Sequence, residues 1–295
     1  MTLTTTPSFT HAAPVHQLRL DTSWGELRIV GGSRAGEGTL VLLPQLRLAL
    51  DAGRPARALV PLENVAVSHG HLDHLLGLPA WASQRQLQGM PPGRVLCPAS
   101  LTEAVQRLLA LSAELEGGSP YGATVTGVDA GDWIELRRDF RVGFFRTSHW
   151  VETLGSVVEW TRRRLRPEYA GAPPETLQRL RAAAVEVTEK VRTPLLAYAA
   201  DSGPEVLDSE AWLRDVEVLV LECTFLRPGD RDRARRFGHT HLADLVEIAP
   251  TLHNRHLVLT HLSRRHRLAS GTRTIRAALA DRFRGRLHLF NKEWE

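Results

Sequence analysis

Apolar residues come along this chain in short dense runs closed by glycine, proline or a charged residue, a rhythm of strands more than of long amphipathic helices. From His16 onward, residues 17–20, 26–30, 39–43 and 46–51 read as a β-meander, with Gly31-Gly32, Gly36, Gly38 and Ala52-Gly53 at its turns. The continuous run 59–67 predicts a buried strand, and 75–87 a helix. After the Pro/Gly-rich break 89–93 come a short strand at 94–97 and a helix over about 101–116, where Ser100 and Glu103 have the spacing of a capping box. Further strands are predicted at 132–136, 141–146, 155–160, 195–200, 216–221 and 257–260, with 155–160 paired to 195–200, and a helix opens at Gly238 and runs to about Ile248. Between the paired strands lies an arginine-rich insertion, 161–192, with a helical centre at 174–185.

Composition narrows the class. The 295 residues are 43% hydrophobic and 24% charged, which suits a globular chain with a substantial core, organised as one large domain or two small ones. Residues 1–15, rich in Thr, Pro and His, read as a disordered leader; they lack the basic start and apolar core of a secretory signal. No apolar run is long enough to span a bilayer. Cys97 and Cys223 stand far apart and build no disulfide framework, which points to a reducing compartment. The formal charge is only +4, yet the basic residues are almost all arginine, Lys190 and Lys292 being the only lysines. Guanidinium groups suit bidentate phosphate contacts, but genomic bias yields the same composition.

The candidate chemistry changes the picture most. Ser68-His69-Gly70-His71-Leu72-Asp73-His74 places three histidines and an aspartate on a strand-to-helix turn, where α/β proteins set their reactive groups. His69 and His71, at i and i+2 in extended backbone, point the same way, while Asp73 and His74 fall at the helix start and can face a second point. Imidazoles and carboxylates in that arrangement suit two zinc ions. Scattered surface histidines are the bland alternative, and the density of donor types argues against it. Later runs repeat the device: Thr147-Ser148-His149, Ala200-Asp201-Ser202, Glu222-Cys223-Thr224-Phe225 and Thr260-His261 all follow apolar strands. His149 taken alone is either a metal ligand or an ordinary loop histidine. Glu222 needs a basic partner, because an unpaired carboxylate at the end of a buried strand is costly.

His69-x-His71-x-Asp73-His74 followed by His149, Asp201 and His261 resembles the metallo-β-lactamase superfamily. Glu222-Cys-Thr-Phe225, Gly238-His239-Thr240-His241 and Thr260-His261-Leu-Ser263-Arg264-Arg265 resemble, more narrowly, ribonuclease Z in its short, plant-like form. The likeness runs from about Gln17 to Arg286 and takes in Leu165-Arg-Pro-Glu-Tyr169. It implies an α/β fold, a four-layer αββα sandwich forming a single domain over 16–295 with a short basic insertion at 161–192.

By that resemblance His69, His71 and His149 hold one zinc, Asp73, His74 and His261 hold a second, and Asp201 bridges them, giving two Zn2+ per chain. Asp73 is also expected to orient the attacking hydroxide, and Glu222 and His239 to act together on the leaving oxygen, with His241 either assisting or facing the helix surface. The implied activity is hydrolysis of a phosphodiester that removes the 3′ trailer of precursor tRNA, by a cytoplasmic homodimer not associated with membranes. Ala200-Asp-Ser202 replaces the family's usual Gly-Asp-Thr, and Arg265 is followed by His266 where the family commonly has Arg-Tyr. No ligand is lost, but substrate identity is open. A hydrolase of the same fold acting on a small phosphodiester is the alternative, and a non-catalytic RNA-binding relative is a third reading that the full ligand set disfavours. Arg264, Arg265 and the insertion are either RNA contacts or solvated cations.

Overall fold

The computed structural model describes residues 16–294, so the expected leader 1–15 lies outside the described residues, as does Glu295. Two seven-stranded sheets form the frame. The first keeps chain order: β1 (His16–Thr22), β2 (Gly25–Arg34), β3 (Gly38–Leu43), β4 (Leu48–Leu50), β5 (Asn64–Ala66), β6 (Arg94–Pro98) and β7 (Thr124–Val128). β1 to β4 pair antiparallel, and β4 to β7 parallel. The second contains β8 (Trp133–Arg137), β9 (Phe140–Arg146), β10 (Leu154–Leu165), β11 (Thr188–Tyr198), β12 (Val218–Glu222), β13 (His256–Thr260) and β14 (Arg286–Leu289), ordered β14-β13-β12-β11-β10-β9-β8. Here β8 to β11 pair antiparallel and β11 to β14 parallel.

Among the described residues, eight α-helices connect these strands: α1 (Leu72–Leu75), α2 (Leu78–Leu87), α3 (Thr102–Leu115), α4 (Pro174–Ala182), α5 (Val206–Ser209), α6 (Arg231–Arg236), α7 (Leu242–Ile248) and α8 (Leu268–Leu279). Strand side chains alternate between faces, and on β12 both faces are apolar. Val218 and Val220 join the core between the sheets, with Ile29, Val41, Val142 and Val258. Leu219 and Leu221 join a second core under Leu242, Leu245, Ile275 and Leu279 of α7 and α8. A third core sets Leu78, Trp81, Val105 and Leu109 of α2 and α3 against Val65 and Val95. Each fully buried Leu or Val contributes about 1.5–3 kcal/mol relative to exposure, so double-sided burial holds β12 and its neighbours at the centre. The result is the expected four-layer αββα sandwich.

Several local expectations are corrected. The run 59–67 is a strand only over Asn64–Ala66; Leu59 and Leu62 are buried in turns. Arg85 and the Trp81 indole donate to the carbonyls of Val60 and Leu62, so an apolar run there needs no ladder. The helix expected at 75–87 is two helices, α1 and α2, divided at Gly77 before Pro79. Ser100 and Glu103 form no capping box. Residues Ala99–Leu101 make a 3₁₀ turn, and the Ser100 hydroxyl donates to Glu152 instead. The insertion is a prolongation of the β10/β11 hairpin, in register to Leu165↔Thr188 and topped by α4. Across it Arg163 pairs with Glu186 and Arg164 with Glu189, neutralising part of its charge.

Candidate active site

Strand direction gathers the site. β9, β11, β12 and β13 all run the same way, so residues after their C-terminal ends share one edge of the second sheet. β5 of the first sheet ends just before Ser68, whose carbonyl accepts from the backbone of Leu154 at 3.0 Å and ties the two edges together. Three non-glycine residues at these strand ends, Asp51, Ala200 and His261, lie in the left-handed region, with φ of 65°, 51° and 61°. Such strain is typical of functional turns and here turns Asp201 and His261 inward. Gly53 and Gly238 allow close approach: a Cβ would lie 1.8 Å from the Asp73 carbonyl oxygen at Gly53, and 2.7 Å from the His149 Cα at Gly238.

The seven expected donors meet in two groups. His69, His71, His149 and Asp201 bring ligand atoms within 4.8 Å of one another, as do Asp73, His74 and His261; Asp201 also meets His239 and His261 in the same way. In the second group the Nε2 atoms of His74 and His261 lie 3.4 Å apart. The His261 Nε2 is 3.5 Å from Asp73 Oδ2 and 3.3 Å from Asp201 Oδ2. His74 Nε2 is 3.5 Å from Asp201 Oδ1, so this carboxylate touches both groups.

Most of these rings are held from behind through Nδ1, which leaves Nε2 facing the centre. His69 Nδ1 meets Ser68 Oγ at 2.9 Å, and His74 Nδ1 meets Asp51 Oδ2 at 2.7 Å. His149 Nδ1 donates to the Gly238 carbonyl at 3.0 Å, and His261 Nδ1 meets Thr224 Oγ1 at 3.0 Å. Asp51 is the hub. Fully buried, it also accepts from the Ser68 amide and hydroxyl at 2.7 and 2.9 Å and from the Tyr198 phenol at 2.6 Å.

The donor set fits divalent cations. Among the described residues the buried His149 Nε2 has no hydrogen-bond partner, while its Nδ1–H is used, leaving a lone pair aimed into the cluster. Burial pushes His69, His71 and His149 toward the neutral form, which is the form that ligates, and in His69 the neighbouring His74 adds to it. Burial would raise the carboxyls of Asp73 and Asp201, but the surrounding imidazoles outweigh it and keep both ionised. His74 shows the same demand for positive charge. Burial opposes its protonation, yet Asp201 and Asp51 hold it well above the usual imidazole range.

Beside both groups stands His239. Its Nδ1 donates to Glu222 Oε1 at 2.6 Å, and its ring lies 4.9 Å from that of His149 and 5.5 Å from that of His261. Burial disfavours a charged His239, but the Glu222 carboxylate more than offsets this and raises it to about 9. Glu222 is itself fully buried and accepts from the Ser202 amide at 2.9 Å and from the Thr224 hydroxyl. Thr224 therefore links Glu222 to His261. His241 does not face the helix surface. It is buried as the N-cap of α7, its Nδ1 accepting from the Ala243 amide at 3.0 Å and its Nε2 donating to the Arg227 carbonyl at 2.8 Å. Both nitrogens are used, so its role is to hold the loop carrying His239. Arg264 and Arg265 are exposed, and Arg264 pairs with Glu37 at 3.3 Å.

Asp51, Tyr198 and Thr224 were absent from the expected site; of the three, Asp51 was marked only by its place at the end of the 46–51 run, before the Ala52-Gly53 turn.

Two layered sheets with a cluster of histidines and carboxylates along their common edge define a metallo-β-lactamase-type hydrolase, and the family model "Beta-lactamase superfamily domain" matches residues 16–262. The chain is 32% identical to tRNase Z TRZ1 of Arabidopsis thaliana over 241 residues, which is 81% of this chain and 86% of that protein. It is 34% identical to the nuclear ribonuclease Z of Triticum aestivum over 163 residues, 55% of this chain and 92% of that one. The chain belongs to the ribonuclease Z (tRNase Z) family of the β-lactamase superfamily. Solved structures agree on the fold. The metallo-beta-lactamase fold protein YhfI from Bacillus subtilis superposes with a TM-score of 0.60 at 17% identity, covering 89% of this chain and 95% of that one. Human tRNase Z, short form, gives 0.56 at 17%, covering 88% and 95%.

Proposed function

We propose that this protein is a zinc-dependent endoribonuclease that hydrolyses the phosphodiester joining a precursor tRNA to its 3′ trailer, leaving a 3′-hydroxyl on the tRNA. The observation that carries this reading is the His239–Glu222 pair set against both donor groups, in a chain that belongs to the ribonuclease Z family. His69, His71, His149 and Asp201 would hold one zinc, and Asp73, His74, His261 and the shared Asp201 the other. Divalent cations in these cradles supply hydroxide near neutral pH and positive charge against the phosphate oxygens.

The protein's own groups do the rest. Asp73 Oδ2 accepts from the Gly36 amide at 2.6 Å, so the carboxylate is fixed in one orientation and can align the nucleophile. Glu222 holds the proton on His239 Nδ1 and keeps the ring cationic, placing an acid where the leaving 3′ oxygen departs. Tyr198, Ser68 and Asp51 lock the imidazole of His74, so the site is organised before substrate arrives.

We place the enzyme in the cytoplasm as a homodimer. The free thiols of Cys97 and Cys223 suit a reducing compartment, and no helix among the described residues is long and apolar enough to cross a membrane. The homodimer is part of the same proposal, and a single-chain mass by light scattering would contradict it. Incubation of purified protein with a 3′-extended precursor tRNA, followed by mapping of product ends, tests the activity. A tRNA ending in a 3′-hydroxyl at the trailer junction is expected; cleavage of small phosphodiesters alone would transfer the site to the alternative substrate class.

A further inference from the structure

Trp150 is 61% exposed although it directly follows the donor His149. Its indole lies 5.4 Å from the His71 ring at 38° and 6.3 Å from the His149 ring. Phe237 stands 6.4 Å away at 77°, nearly perpendicular, and the guanidinium carbons of Arg233 and Arg236 lie 5.6 and 5.5 Å from the phenyl centroid. An indole plane, a phenyl wall and two exposed cations thus form a notch at the mouth of the donor cluster. Trp150 belongs to none of the three buried cores, so the sandwich does not require an indole there.

We infer that Trp150, with Phe237 as its wall, is the stacking platform for the nucleobase immediately 5′ of the scissile phosphate. The inference rests on the RNA-cleavage reading above and assigns a substrate contact within it. A planar base finds a π-face on the indole and an edge contact on the phenyl, while Arg233 and Arg236 offer charge to the adjoining phosphates. Position selects the nucleotide. His239 faces the leaving 3′ oxygen, and a base sits one ribose away from its own 3′ oxygen. The path from His239 through His149 to Trp150, with ring separations of 4.9 and 6.3 Å, leads from that oxygen to the indole. Stacking tolerates any base, because every base has a π-face; the notch positions the chain without reading sequence.

The test is a cycle between the protein and the RNA. Wild type, Trp150→Phe and Trp150→Ala are each assayed on precursor tRNA with a normal nucleotide, or an abasic one, just 5′ of the scissile phosphate. An abasic nucleotide on the 3′ side is the control. Binding of the same RNAs in chelator, where turnover stops, provides a second readout. Trp150→Ala should lower kcat/KM on normal RNA roughly 5- to 150-fold, the range of a base–aromatic stack. The 5′ abasic RNA should cost wild type a similar factor and the Trp150→Ala protein little more. Trp150→Phe should recover most of the loss, and binding should show the same coupling. Losses that multiply, an unimpaired Trp150→Ala, or coupling to the 3′ control instead would overturn the inference while leaving RNA cleavage intact. Failure of wild type to cleave the normal precursor would reject the RNA reading, and this inference with it.

Discussion

β13 begins at His256 and ends beside His261, and the two histidines differ in what their ring nitrogens meet. His256 is buried, and both its nitrogens are used: Nε2 donates to the Asp21 carbonyl at 3.0 Å and Nδ1 meets His288 Nε2 at 3.0 Å. The nearby carboxylates, Asp21 and Glu217, are taken by Arg255. His261 is also buried and also meets a second imidazole, His74, at 3.4 Å. Among the described residues the carboxylates of Asp73 and Asp201 there pair with no arginine, and the paired nitrogens meet no carbonyl. A pair of touching histidines is thus a closed structural contact at one end of the sandwich and, at the other, part of the donor cluster that we propose holds metal. Parallel strands account for the difference, because their C-terminal ends bring residues remote in sequence to one edge.

The sharpest way to break this comparison is Asp73→Ala. It removes a proposed metal donor and the group proposed to orient the nucleophile, and turnover should fall by several orders of magnitude while RNA affinity, expected to rest on phosphate contacts elsewhere, changes little. Single-turnover kinetics with filter binding would show this, and near wild-type turnover would refute the role of that edge.

Asp51→Ala should follow. It strands the His74, Ser68 and Tyr198 donors in the core, so stability should drop by about 3–5 kcal/mol and metal retention with it. Chemical denaturation of wild type and variant measures the first, and metal analysis after dialysis the second. Asp51→Asn, which keeps the volume and some acceptors, should fall between them.

Glu222→Gln leaves His239 in place but removes the charge that raises it to about 9. Burial then favours the neutral ring, so the loss in kcat should be about 10²–10⁴-fold and larger at pH 8 than at pH 6. A loss independent of pH would mean that Glu222 only positions the loop.

At the other end the expected effect is smaller and concerns stability. Burial, with His256, Arg276 and Arg286 nearby, lowers His288 to about 4 from an ordinary 6.5. A depressed histidine contributes stability that is present above pH 6.5 and lost as pH falls through about 4, because the unfolded chain takes up the proton first. Melting curves across that window should show wild type losing stability that His288→Gln does not lose, with activity at neutral pH untouched.

How much of this was legible in the sequence follows from the same geometry. The donors were readable because they lie in turns that follow apolar runs, and four of them fall within His69–His74. The groups that hold them were not. Tyr198 reaches Asp51 across 147 residues and Thr224 reaches His261 across 37, and no local pattern marks such pairings. β7 and β14 were missed because each edge strand has exposed or half-exposed positions and little apolar contrast. α8 was missed because glycine and threonine interrupt its apolar positions. The 59–67 run was overextended because buried turns and buried strands are equally apolar; only the carbonyls taken by Trp81 and Arg85 distinguish them.

The most direct test is metal content. Protein purified without chelator should contain about two zinc ions per chain. His71→Ala should lose most of that zinc, while His256→Ala, at the far end of β13, should keep it. A single iron or no metal in wild type, or equal loss in the two variants, would contradict the assignment of a two-metal centre to the His69–His261 edge.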